Sequence, residues 1–136
     1  MKKLIALMVC FSTPVLADSI PDCGLYLYAA KVTRIIDGDT IVADIDLGFD
    51  VWRHDERLRL AGVQTPEKNE PGFSESSNAL ADRIAGRSVY ICTVKAKRSD
   101  NEVRGGFGRY LATIHYEGVN INDWLLLQGY AIPYED

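Results

Sequence analysis

The order of the predicted secondary structure elements most constrains the fold of this chain. Three strand-like segments come first, followed by a helical stretch, two more strand-like segments and a second short helix. The five strand-like segments occupy residues 25–36, 40–47, 51–61, 88–95 and 109–116. Strand and helix therefore do not alternate as they do in a parallel α/β sheet. The order predicts a β-rich α+β domain, namely a five-stranded Greek-key barrel of the OB type with two packed helices.

Capping residues predict where the two helices begin and end. Ser74 is the expected N-cap of the first helix, and Gly86 is expected to end it. The second helix is expected to be capped by Asn120 or Asn122, and Gly129 is expected to end it.

The first 17 residues have the pattern of a secretory signal peptide. Lys2 and Lys3 precede an almost continuously apolar run, and Ala17 follows it as a small residue suited to cleavage. The apolar run is too short to span a bilayer as a helix. We therefore expect residues 18–136 to form one domain that is secreted or periplasmic, monomeric and free of a membrane anchor.

The charge of the chain is unfavourable for general binding to nucleic acid. The chain has 15 basic and 19 acidic residues, a net charge of −4, and the signal peptide contains two of the lysines and no acidic residue. Affinity for phosphates usually comes from lysines and arginines that release counterions. Any nucleic-acid site must therefore be a local cationic cleft on an acidic protein.

Two cysteines remain after the predicted cleavage. Cys23 lies just before the first strand and Cys92 lies within the fourth. An oxidising compartment permits a disulfide between them, which would tie the N-terminus to the barrel. The alternative is that both are buried free thiols.

Three short motifs carry the candidate chemistry. Each places charged side chains at the end of a strand-like run, where they could meet around one pocket. The motifs are Asp37-Gly38-Asp39-Thr40, Arg59-Leu60-Ala61-Gly62-Val63-Gln64-Thr65-Pro66-Glu67 and Phe107-Gly108-Arg109. Carboxylate and carbonyl oxygens suit a hard cation such as calcium, and arginines suit a phosphodiester because the guanidinium fork donates two parallel hydrogen bonds.

Taken in order, these motifs resemble the signature of the thermonuclease, or staphylococcal nuclease-like, family. The resemblance extends from about Ala30 to Ala131. It implies an OB-fold barrel, calcium (Ca2+) as cofactor, and hydrolysis of phosphodiester bonds in DNA, RNA or both. It also implies action outside the cytoplasm.

The resemblance also implies roles for individual residues. Asp39 corresponds to a calcium-binding aspartate, and Thr65 to a residue that offers its backbone carbonyl to the metal. Arg59 and Arg109 correspond to phosphate-binding arginines. Glu67 corresponds to the glutamate that positions or deprotonates the attacking water.

Gln64 departs from the family pattern, because the family usually has a second calcium-ligating aspartate at this position. An amide oxygen can bind calcium but adds no negative charge, so we expect weaker calcium binding with activity retained. The alternative is a catalytically weakened module that binds nucleic acid or another partner without cleaving it. A third possibility is a secreted scaffold with a decayed site. Taken singly, the motif residues could also be turn aspartates and surface ion pairs.

Overall fold

The computed structural model describes residues 19–94 and 102–135. The predicted signal peptide and the end of the fourth predicted strand at Lys95 lie outside the described residues. Within these residues, eight strands and two α-helices follow one another: β1 (Leu27–Asp37), β2 (Thr40–Asp46), β3 (Trp52–Leu60), β4 (Val63–Gln64), α1 (Phe73–Ile84), β5 (Ser88–Thr93), β6 (Tyr110–Tyr116), β7 (Val119–Asn120), α2 (Ile121–Leu127) and β8 (Ile132–Pro133).

The five longer strands form a closed barrel. They neighbour one another in the order β3-β2-β1-β5-β6, and a parallel pairing of β3 with β6 closes the circle. The other pairings within the barrel are antiparallel. The predicted OB-type barrel with two helices is therefore confirmed.

The core fills the inside of this barrel and the space beneath α1. Alternate residues of each strand point inward, so Ile41, Leu58 and Ile91 are fully buried. From α1, Leu80 and Ile84 complete the same cluster and are also fully buried. Burying a side chain of this size stabilises a fold by about 2 kcal/mol relative to leaving it exposed.

Asn122 stabilises the parallel closure of the barrel. Its side-chain nitrogen donates to the carbonyl oxygens of Ala61 at 2.9 Å and Ala112 at 3.0 Å, and its side-chain oxygen accepts from the Ile114 N–H at 3.1 Å. The N-cap of α2 is therefore Asn120, whose side chain accepts from the Asp123 N–H at 3.2 Å. Of the two caps considered from the sequence, Asn120 is the correct one.

The predicted N-cap of α1 is wrong. The helix begins at Phe73, and the capping position is Gly72 rather than Ser74. Gly72 has φ 90°, a left-handed conformation that glycine adopts without steric cost. The capping position is therefore two residues earlier than predicted.

A disulfide joins Cys23 to Cys92, with an S–S distance of 2.06 Å and a Cα–Cα distance of 5.9 Å. It links the segment before β1 to β5. Of the two alternatives considered from the sequence, a disulfide or two free thiols, the structure has the disulfide. Within the described residues, no helix has the length and apolarity needed to cross a membrane.

Candidate active site

Five of the six predicted site residues line one pocket at the ends of three barrel strands. The pocket has a volume of about 320 Å³ and is lined by Asp39, Arg59, Gln64, Glu67 and Arg109, together with Asp37, Gly105, Phe107 and Tyr134. Thr65, the sixth, contacts Asp39 directly. The two arginines therefore lie on the same side of the barrel, on strands that pair with each other at the closure.

Asp39 is the centre of the hydrogen-bond network, and it is only 6% exposed. Its Oδ1 lies 3.0 Å from the Arg59 guanidinium and accepts from the Thr40 hydroxyl at 3.2 Å. Its Oδ2 accepts from the backbone N–H of Thr65 at 2.9 Å and from its hydroxyl at 3.0 Å. A carboxylate has about four acceptor positions, so four donors surround Asp39 and a cation that binds it would displace one of them.

Gly38 allows this network to form, because two distant segments pack directly against it. A Cβ atom at this position would lie 2.7 Å from the Ser76 hydroxyl and 2.8 Å from the Thr65 side chain. No heavier residue fits between β1, α1 and the Thr65 segment without moving one of them. The glycine therefore holds Thr65 close enough to bond with Asp39.

Asp37 also lines the pocket, and it was not among the predicted site residues. Burial raises the pKa of its carboxyl, and the nearby Asp39 carboxylate adds to the increase. The Asp39 N–H, which donates to Asp37 Oδ1 at 3.1 Å, partly offsets that increase.

Arg59 is held rigidly, with 7% of the residue exposed. Besides its ion pair with Asp39, Nη1 donates to the Leu60 carbonyl at 3.2 Å, and Nη2 donates to Gln64 Oε1 at 2.9 Å. Leu58 and Leu60 on either side of Arg59 point into the core, because successive side chains of a strand point to opposite faces. Strand register thus fixes the side of the barrel on which this guanidinium lies.

Arg109 reaches the same network through Thr40. Its Nη1 donates to the Thr40 hydroxyl at 3.1 Å, and that hydroxyl in turn donates to Asp39. Arg109 immediately precedes β6, which pairs with β3, and this explains its position across the pocket from Arg59. The two arginines are therefore coupled through a single aspartate.

Gln64 bridges Arg59 and Glu67. Its Oε1 accepts from Arg59, while its Nε2 donates to the Thr65 carbonyl at 3.2 Å and to Glu67 Oε1 at 2.9 Å. The amide therefore directs its nitrogen, not its oxygen, at the Thr65 carbonyl, which the family resemblance assigns to the metal, and at Glu67, which it assigns to the attacking water. Glu67 is exposed, and the contact with Gln64 restrains its side chain.

The oxygen atoms of this site suit a hard cation, although few of them carry charge. The Gln64 nitrogen contacts both the Thr65 carbonyl and Glu67, so a group with partial positive charge already lies between these two potential ligands. Within the described residues, no three or more His, Cys, Asp or Glu side chains gather as a metal cluster. The donor set thus fits calcium, with a low carboxylate count that favours weak binding.

Two aromatic side chains, Phe107 and Tyr134, also line the pocket. The Arg59 guanidinium carbon lies 5.8 Å from the Tyr134 ring centroid, and that of Arg109 lies 5.5 Å from the Phe107 ring. Tyr134 reaches the pocket because β8 pairs with β4, the strand that carries Gln64. Both strands are two residues long, so their alternation gives no usable sequence signal.

Comparison with known proteins agrees with this geometry. The sequence model of one family, described as "Staphylococcal nuclease homologue", matches residues 57–136. An "Uncharacterized endonuclease" of Escherichia coli O157:H7 is 30% identical over 138 residues, which cover 99% of this chain and 75% of that protein. The "Thermonuclease" of Staphylococcus intermedius is 32% identical over 106 residues, which cover 74% of this chain and 56% of that protein. An "Uncharacterized endonuclease" of Haemophilus influenzae is 26% identical over 113 residues, which cover 83% of this chain and 56% of that protein.

Proposed function

The chain belongs to the staphylococcal nuclease family and is a nuclease, and we propose that it hydrolyses phosphodiester bonds of DNA, RNA or both with calcium as cofactor. The observation that carries this proposal is the convergence of Asp39, Arg59, Glu67 and Arg109 on one pocket. Together they supply two cationic forks and two carboxylates around a pocket of about 320 Å³, a volume typical of small-ligand sites.

The two arginines would bind the phosphate that is attacked. Hydrolysis adds negative charge to an already anionic group, and guanidinium donors meet that charge with paired hydrogen bonds at any working pH. Arg59 is well suited to this because its contacts with Asp39 and the Leu60 carbonyl fix it before substrate arrives. Little reorganisation is then needed as the transition state forms.

Glu67 would orient the attacking water and accept its proton. It follows Pro66, whose fixed φ restricts the chain just before the glutamate. The Gln64 amide holds Glu67 Oε1 at 2.9 Å, which limits the rotamers of the carboxylate. When bound, calcium supplies a positive charge that brings the phosphate and the water together. Asp39, the Thr65 carbonyl and Glu67, with the Gln64 amide after rotation, are the residues that would hold it.

The calcium requirement is expected to be high. Gln64 contributes no negative charge, and its amide must turn its oxygen away from Arg59 before that oxygen can reach a cation. Substrate phosphate oxygens would then complete the coordination during turnover. Activity should therefore require more calcium than it would with an aspartate at residue 64.

The proposed location is the periplasm or the extracellular medium, with a monomeric protein. The support is the signal-like pattern of residues 1–17 and the disulfide between Cys23 and Cys92, a type of bond that persists in oxidising compartments.

A nuclease assay across calcium concentrations tests the proposed activity. Purified protein is incubated with single-stranded DNA and with RNA from micromolar to tens of millimolar calcium, with EDTA as the blank. Cleavage that rises with calcium is expected, and the absence of cleavage of either substrate at every concentration would contradict the proposal.

The second candidate is a module that binds nucleic acid without cleaving it. One observation favours it, namely that the Gln64 nitrogen occupies the space between the Thr65 carbonyl and Glu67. The substitution Glu67→Gln separates the two candidates. In an enzyme it abolishes hydrolysis and spares binding, whereas in a binding module it changes neither.

A further inference from the structure

A bulge in β3 changes which face of the sheet its first residues occupy. Asp55 has φ 56°, and the pairing of β2 with β3 shifts there, since Ala43 pairs with Glu56 whereas Ile45 pairs with Arg53. The extra residue reverses the alternation of the strand. Trp52 and His54 consequently lie on the outer face of the barrel, the face that also carries Arg57 and Arg59.

The lining of two cavities is consistent with this reversal. Arg53, Glu56 and Leu58 line a small cavity of about 60 Å³ together with Tyr110. Trp52 and His54 line a different one, with a volume of about 490 Å³, which is larger than the pocket that holds Arg59. We call this larger space the outer cavity; its walls are Ala29, Ala30, Lys31, Asp44, Trp52, His54, Ser88, Val89 and Tyr90.

The outer cavity presents flat rings beside polar groups of both signs. The Trp52 and His54 rings are nearly parallel, with an interplanar angle of 13° and centroids 6.4 Å apart. Asp44 orients the histidine through an Oδ2–Nδ1 contact of 3.1 Å, and Lys31 adds an ammonium group to the wall. Flat rings with donors and acceptors at their edge suit a nucleobase, whose face stacks and whose edge carries both.

Two cations lie between the outer cavity and the active site. Arg34 on β1 and Arg57 on β3 both pair with Val42, so the three residues form one row across the outer face. The backbones of the two arginines are about 10 Å apart, because each strand spacing is close to 4.8 Å. Both side chains are exposed, and within residues 19–94 and 102–135 neither makes an ion pair.

The order of groups along this face therefore matches a path for a single strand. At the active site, Thr40 of β2 pairs with Arg59. Two residues further along β2, Val42 pairs with both Arg34 and Arg57, and two residues beyond that, Asp44 lies in the wall of the outer cavity. Proteins that bind single strands combine a cationic track for the backbone with aromatic side chains for the bases. On a chain with a net charge of −4, a row of exposed cations on one face is the local feature that such binding needs.

We propose that the outer face of β1–β3 is an extended binding track for single-stranded nucleic acid, which receives the strand beyond the scissile phosphate. One base stacks on Trp52 in the outer cavity, and backbone phosphates lie over Arg34 and Arg57. The proposal rests on the proposed function because it assigns the track to the substrate of the same active site. It implies a preference for strands long enough to reach both places.

Fluorescence anisotropy in EDTA tests the track without cleavage. The probes are 5′-labelled oligothymidylates of 3 and 15 nucleotides, measured with wild-type protein and with Trp52→Ala. We expect the wild type to bind the longer probe more tightly. Loss of the stacked base should weaken that binding by roughly 10-fold and leave the 3-mer unchanged. Phe49→Ala is the matched control, because Phe49 is fully exposed at the tip of the same hairpin and does not line the outer cavity.

The salt dependence tests the two arginines separately. Arg34→Ala and Arg57→Ala should each weaken binding of the 15-mer, and each should reduce the slope of log K against log salt by about 0.7 for the lost phosphate contact. Arg53→Ala is the matched control, since Arg53 belongs to the same strand, faces the small cavity and pairs with Glu56. Its slope should equal that of the wild type.

Three results would overturn the track: equal wild-type affinity for the two probes, equal behaviour of Trp52→Ala and Phe49→Ala, or equal weakening of 3-mer and 15-mer in Trp52→Ala. Polyglutamate and unlabelled oligonucleotide can also be compared as competitors of the labelled 15-mer. If both displace it at the same concentration of negative charge, the face binds an acidic polypeptide instead. Failure of the proposed function is distinguishable, because a protein that never cleaves with calcium can still show length-dependent binding that Trp52→Ala removes.

Discussion

The Arg59 guanidinium donates to the Gln64 amide oxygen at 2.9 Å, and this contact turns the amide nitrogen toward Glu67. A neutral side chain thus links the buried cation to the exposed carboxylate. An aspartate at residue 64 could accept from Arg59 but could not donate to Glu67. The glutamine therefore stabilises the metal-free site, where an added carboxylate would repel those that already line the pocket.

The substitution Gln64→Asp should reverse this balance. Without calcium, the variant should melt at a lower temperature than the wild type, because Asp39, Glu67 and the new carboxylate then lie close together without a cation. With calcium, its melting temperature should rise further than that of the wild type, and calcium affinity should increase by about tenfold or more. Differential scanning fluorimetry and isothermal titration calorimetry measure the two effects.

Gln64→Asn is the matched control, since it shortens the side chain equally without adding charge. It should lose the contacts of Gln64 and gain no calcium affinity. A Gln64→Asp variant with the calcium affinity of the wild type would show that residue 64 lies outside the cation site.

Gly38→Ala should damage both stability and activity. The added methyl group would lie within 2.8 Å of the Thr65 side chain and closer still to the Ser76 hydroxyl, so it must displace one of them. Overpacking of this kind costs about 1–3 kcal/mol of unfolding free energy. Displacement of Thr65 would also weaken its two bonds to Asp39 and lower kcat. Chemical denaturation and the calcium-dependent nuclease assay measure these changes.

Adding Ser76→Ala to Gly38→Ala separates the effect of the contact with Ser76 from that of the contact with Thr65. Gly38→Ala should cost less stability in the Ser76→Ala background than in the wild type, because one of the two close contacts is then absent. The double variant should not regain activity, since the contact with Thr65 remains. Full recovery of activity would place the damage in α1 instead of the Asp39 network.

The sequence predicted the features of this protein that depend on local patterns. Alternation along residues 51–61 places Leu58 and Leu60 in the core and Arg59 on the outer face, because a strand has a fixed period of two. The motifs likewise indicated which charged residues share a pocket. Capping at Gly72 was missed because a sharp turn, rather than a side-chain hydrogen bond, starts that helix.

Features that depend on contacts between distant segments were not predictable. The bulge at Asp55 places Trp52 on the outer face, and no alternation rule marks an inserted residue. Gly38 has an ordinary backbone conformation, and its role comes from Thr65 and Ser76, which lie 27 and 38 residues further along the chain. Tyr134 reaches Arg59 through strands too short to produce a periodic signal.

The two asparagines near α2 should differ strongly in their effect on stability. Asn122→Leu would leave the Ala61 and Ala112 carbonyls and the Ile114 N–H without their partner, and should lower the free energy of unfolding by about 3 kcal/mol. Asn120→Ala removes only a helix cap and should cost about 1 kcal/mol. Urea denaturation of both variants measures the difference. Equal losses would show that Asn122 does not hold the barrel closure.

His115 should make the protein less stable in mild acid. Burial lowers the pKa of its imidazole below the ordinary 6.5, and nearby Asp123 only partly opposes this shift. The unfolded chain therefore takes up a proton at higher pH than the folded protein does. The stability associated with neutral His115 is present above pH 6.5 and is lost as the pH falls through the lower folded-state pKa.

Melting temperatures between about pH 8 and pH 5 test this effect. The fall in melting temperature below pH 6.5 should be shallower in His115→Gln, which keeps a polar side chain that does not titrate. Asp123→Asn should make the fall steeper, because it removes the charge that favours the protonated imidazole. If melting temperature falls with pH equally in the wild type and in His115→Gln, burial of His115 does not cause the loss of stability in mild acid.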